Sequence, residues 1–87
     1  MEKLNSKPRK VLQAVFEHPP RSDLAWKAIE TLLIALGATV QEGRGSRVRV
    51  FLNDVVATVH RPHPDRVIDK GVVRSLKEYL IKANSFP

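Results

Sequence analysis

Gly43-Arg44-Gly45-Ser46-Arg47-Val48-Arg49-Val50-Phe51-Leu52 is the stretch whose reading sets the architecture. From Arg47 onward, basic and branched apolar side chains alternate with the two-residue period of a strand that buries one face. Val48, Val50 and Leu52 are expected to enter a core, while Arg47 and Arg49 project together from the other side. The glycines ahead of them form a short basic turn, and Thr39–Glu42 reads as the strand leading into it. Beyond Leu52, Asn53-Asp54 reads as a two-residue hairpin turn, without the glycine such turns favour. Val55–His60 then forms a third strand. Charges on an open strand face also protect sheet edges from aggregation. This segment alone therefore fits a phosphate-binding face and an ordinary solvated face equally well.

Working outward, residues 23–36 have the spacing of a helix. Ser22 is placed as its N-cap, Asp23 in its first turn where a negative charge suits the dipole, and Gly37 as its stop. Ala25, Ala28, Ile29, Leu32 and Leu36 form its buried stripe. Trp26 and Leu33 form a second apolar ridge, expected to be covered by an N-terminal helix over residues 7–17. That helix starts at Lys7 or Pro8, carries Val11, Leu12, Val15 and Phe16 on one face, and ends at His18-Pro19-Pro20. After the third strand, His60-Arg61-Pro62-His63-Pro64 must be an irregular extended connection. Asp69 caps a last helix to about Ala83, burying Val72, Val73, Leu76 and Leu80. Lys70, Arg74 and Lys77 make a basic stripe on its other side. The order is α-α-β-β-β-α: an α+β fold with a three-stranded antiparallel sheet, helices on one face and the other face open.

Eighty-seven residues support one core, hence a single domain over residues 1–87 in which residues 1–20 are an N-terminal helical extension. Lys and Arg number 15 against 9 Asp and Glu, a net charge of +6. This balance favours a polyanionic partner, because neutralising phosphates releases counterions. The absence of cysteine removes disulfide frameworks, thiolate metal sites and cysteine nucleophiles. The longest apolar run, residues 31–37, is too short to cross a bilayer, and the charged first ten residues lack the apolar core of a signal peptide. A cytoplasmic location with no membrane partner is expected.

A helix ending in glycine, a strand, Gly45-Ser46 opening a second strand, a third strand, and then Asp69-Lys70-Gly71-Val72-Val73-Arg74-Ser75-Leu76: this series resembles the HicA toxins over roughly residues 23–83. The resemblance implies a double-stranded-RNA-binding-domain-like fold. It also implies the toxin of a type II toxin–antitoxin system, an mRNA interferase that cleaves mRNA and inhibits translation until a HicB-like antitoxin covers its active surface. In one position the chain departs from the family. The family's catalytic histidine follows Gly-Ser, and Arg47 stands there instead. Arginine remains protonated and cannot act as general base, although it can hold a phosphate or stabilise charge developing on one. Either another group transfers protons, or the chain is a catalytically inactive RNA-binding or antitoxin-binding module on the same fold.

Imidazoles suit both halves of metal-independent ribonuclease chemistry. His60 and His63 are the catalytic candidates, with His63 preferred because prolines flank it. They lack a third ligand at suitable spacing, so neither a metal nor a cofactor is expected. His18, beside two prolines, is expected to be structural. The RNA-binding surface is assigned to Arg44, Ser46, Arg47, Arg49, Arg61, Lys70, Arg74 and Lys77. Trp26 and Tyr79 are expected in the core, so RNA would be held through its backbone and shape.

Overall fold

The computed structural model describes residues 6–18, 23–62 and 66–85. It contains α1 (Ser6–Val15), α2 (Trp26–Ala35), β1 (Thr39–Glu42), β2 (Arg47–Leu52), β3 (Val55–His60) and α3 (Lys70–Lys82), in the order expected. The strands form one antiparallel sheet, β1-β2-β3. Val40 pairs with Val50, Val48 with Val59, Val50 with Ala57 and Leu52 with Val55. That register collects every inward valine and leucine on one face. Ile29, Leu32 and Leu33 of α2 join them in a single core with Val73, Leu76 and Leu80 of α3, and α1 adds Leu12, Ala14 and Val15. Removing this apolar surface from water is the main term holding the layers together.

Local chemistry fixes the ends of the elements. The Asp69 carboxylate accepts a hydrogen bond from the Val72 N–H at 2.9 Å, capping α3 as expected. Gly37, at φ +97°, ends α2. Its N–H donates to the Ile34 carbonyl and the Ala38 N–H to that of Leu33, both at 2.9 Å, the paired bonds of a Schellman end. Asn84 (φ +60°) does the same for α3, with Asn84 N–H to Ile81 and Ser85 N–H to Leu80. The hairpin turn has positive φ at both Asn53 (48°) and Asp54 (66°), the type I′ pattern, which Asn and Asp tolerate without glycine. From that turn, the Asn53 side-chain amide donates to the Ala83 carbonyl at 2.6 Å, tying the hairpin to the end of α3.

Several expectations need correction. Helix α2 begins at Trp26, with Ala25 as an N-cap that makes no side-chain bond. Residues 24–26 instead lie alongside residues 66–68: Ala25 bridges Val67, Trp26 N–H donates to Arg66 O (3.0 Å), and Ile68 N–H to Leu24 O (2.8 Å). Extended pairing there outcompetes an early helix start; Ser22 lies outside the described residues. Val72 is 36% exposed rather than buried, and His18 is exposed rather than packed. Trp26 and Leu33 are buried, but they wall a hollow of about 540 Å³ whose other sides include Val50, Ala57, Val72 and Tyr79. The second ridge therefore faces the sheet and α3. The small Ala57 side chain and the half-buried inner face of β3 leave that space open.

Tyr79 is buried as expected, and its hydroxyl proton is shared between the carbonyls of Val55 (2.8 Å) and Val50 (3.2 Å). Burial raises its pKa above the usual 10.0, partly offset by a backbone hydrogen bond from Leu52. The fold thus favours the neutral phenol. Its contribution is complete below about pH 10 and is lost as pH rises through the raised folded value. Urea melts of Tyr79→Phe should show a flatter alkaline decline in stability, with a cost of roughly 0.5–1.5 kcal/mol at neutral pH. An unchanged alkaline slope would remove this role.

Candidate nucleic-acid interface

Alternation and register arrange the outer sheet face in three rows. They are Thr39, Phe51 and Val56; then Gln41, Arg49 and Thr58; then Arg47 opposite His60. No carboxylate stands among them. Arg47, Arg49 and His60 are all exposed, and the register sets His60 on the outer face beside Arg47, at the end of β3 where the residue also borders the hollow.

The turn before β2 completes this corner. Gly43 N–H donates to Arg47 O at 2.8 Å and Arg47 N–H to Arg44 O at 3.2 Å, with Gly45 at φ +61° allowing the tight path. Ser46 Oγ lies 3.0 Å from His60 Nε2 and 3.3 Å from Nδ1. Arg61 N–H donates to Ser46 O at 2.7 Å, extending the ladder past His60. Arg44, Ser46, Arg47, Arg49 and His60 are thus gathered on one corner.

Arg61, by contrast, is engaged within the fold. Its guanidinium contacts Glu30 of α2 at 2.6 Å and Glu42 of β1 at 3.0 Å, with Nε buried. It locks the end of β3 to the helical layer and is not free for phosphate. Lys70, Arg74 and Lys77 are also separated from the sheet corner. Val72, Ser75 and Tyr79 face the hollow, whereas the Lys77 ammonium lies on the opposite flank of α3, 5.8 Å from the centroid of the Phe16 ring. Because α3 covers the inner sheet face, the one continuous surface expected from sequence resolves into two. His63 lies outside the described residues.

Two features were not singled out from sequence. Glu30 and Glu42 stand 31 and 19 positions from Arg61, and no local spacing signals such pairs. The outward position of Phe51 was legible, because it shares the parity of Arg47 and Arg49.

Fold and face together define a small α+β domain with one basic, carboxylate-free sheet face. The family model for the HicA toxin of bacterial toxin–antitoxin systems matches residues 26–83. The chain belongs to the HicA toxin family, which implies an antitoxin as its partner. No curated protein and no solved structure gave a significant match. Helix α1 lies outside the matched region, and among the described residues no helix is long and apolar enough to cross a membrane.

Proposed function

We propose that the chain is the toxin of a type II pair, an mRNA interferase in which His60 takes the part of the family histidine replaced by Arg47. The observation carrying this reading is the direct cross-strand pairing of Arg47 with His60, beside the Ser46 hydroxyl. Side chains at such positions stem from points about 5 Å apart, so an imidazole at 60 serves nearly the same patch of surface as one at 47. In this mechanism the His60 imidazole accepts the proton of a ribose 2′-hydroxyl, whose oxygen attacks the adjoining phosphorus. The bond from phosphorus to the 5′-oxygen breaks, and His63 protonates the departing oxygen. Arg47 stabilises charge developing on the phosphate oxygens, Ser46 orients the imidazole, and Arg44 and Arg49 hold neighbouring phosphates. A HicB-like antitoxin covering this face would block it.

Arg47 also favours a second reading, an inactive RNA-binding or antitoxin-binding module. Affinity and cleavage of a labelled single-stranded RNA, measured over a range of salt concentrations, separate the two. Three phosphates held by Arg44, Arg47 and Arg49, at about −0.7 each, give a log–log salt slope of about −2. Cleavage with that slope supports the interferase. The same slope without cleavage supports the inactive module, and a flat dependence removes RNA from this face.

A further inference from the structure

We infer that Phe51 is a base-stacking subsite, seating one nucleobase of a single-stranded RNA two nucleotides away from the phosphate held at Arg47 and His60. This rests on the proposal that the outer sheet face binds RNA. Phe51 is a half-buried aromatic residue on that open face and is absent from the side chains packed on the core. Its cross-strand neighbours are Thr39 and Val56, the latter 55% exposed. The ring therefore lies on the outer face beside an exposed valine, apart from the core cluster. The same strand continues outward to Arg49 and Arg47, and the face carries no carboxylate. That charge suits phosphates and gives an acidic polymer precedence over a protein helix or strand as occupant.

Spacing supports the assignment. Each outward repeat along β2 advances about 6.6 Å, close to the repeat of an extended nucleic-acid backbone. Phe51, Arg49 and Arg47 then fall in step with a base, the next phosphate and the phosphate after it. An aromatic face accepts any base, so this subsite confers register along the strand rather than sequence preference. It also requires an unpaired base, which selects single-stranded over duplex RNA.

The test uses a short 2′-O-methyl oligonucleotide, which cannot be cleaved, and a series in which one abasic position is moved along it. Phe51→Ala should bind the intact oligonucleotide about 5- to 150-fold more weakly, the equivalent of the roughly 1–3 kcal/mol that one stacked base contributes. The abasic substitution should reproduce that loss at one position in the wild type and have no further effect in Phe51→Ala. Phe51→Trp should retain affinity and add an emission signal quenched by the oligonucleotide, above the constant background of buried Trp26. Equal affinity of wild type and a folded Phe51→Ala, or a loss seen only with a protein partner, overturns the subsite. Abasic coupling in a chain that cleaves nothing upholds it while removing the interferase reading, and a wild type that does not bind the oligonucleotide overturns both.

Discussion

His60→Ala is expected to lower RNA cleavage by about 10²- to 10⁴-fold, the usual contribution of one positioned proton-transfer group, and to relieve growth inhibition on induced expression. The residue is exposed and only borders the hollow walled by Trp26 and Leu33, so circular dichroism and melting temperature should remain near those of the wild type. Arg47→Ala should differ in kind, weakening RNA affinity as well as turnover. The decisive comparison is the exchange of the pair, Arg47→His with His60→Arg. It keeps one imidazole and one guanidinium on the same corner, and should recover part of the activity that His60→Ala loses. Full cleavage by a folded His60→Ala, His63→Ala double variant would exclude the imidazole mechanism. Full cleavage by His60→Ala with loss in His63→Ala alone would transfer the leading role to His63.

The largest expected effect on stability is at Leu80. It is fully buried in α3, beneath the sheet and in the same core as Ile29 and Val73. Leu80→Ala should cost roughly 2–5 kcal/mol, because the lost transfer energy is compounded by a cavity that the surroundings only partly close. Domains of this size have a total stability of roughly 5–15 kcal/mol, so the variant should be close to unfolding at physiological temperature. Val72→Ala, at the rim of the hollow, should be milder. Urea titrations of both variants test this, and comparable losses at the two sites would contradict the packing described.

Most of the fold was legible because its signals are local. Gly37 and Asp69 mark helix ends through their own backbone chemistry, and the alternation from Arg47 to Leu52 needs no knowledge of the rest of the chain. The failures involve distant partners. No signal near residue 23 shows that Ala25 will pair with Val67, which is why α2 starts late. The same holds for Arg61, read as a free cation until Glu30 and Glu42 are brought to it. The site was legible in composition but not in arrangement. The direction of His60 depended on the register set by the hairpin turn, and the separation of the α3 basic stripe from the sheet corner was not legible because sequence gives a helix's faces without their orientation.

The meander order of the sheet leaves two free edges. The edge formed by β1 is only four residues long and includes Glu42. The other is Val55-Val56-Ala57-Thr58-Val59-His60, rich in β-branched residues and without Asp, Glu, Lys, Arg, Gly or Pro; among the described residues no strand pairs with its outer side. Segments of that composition template the addition of further strands. Opposing such growth is the long-range repulsion between copies that each carry +6, and it weakens as added ions shorten its range. Colloidal stability of the isolated toxin is therefore a property of ionic strength as much as of its fold.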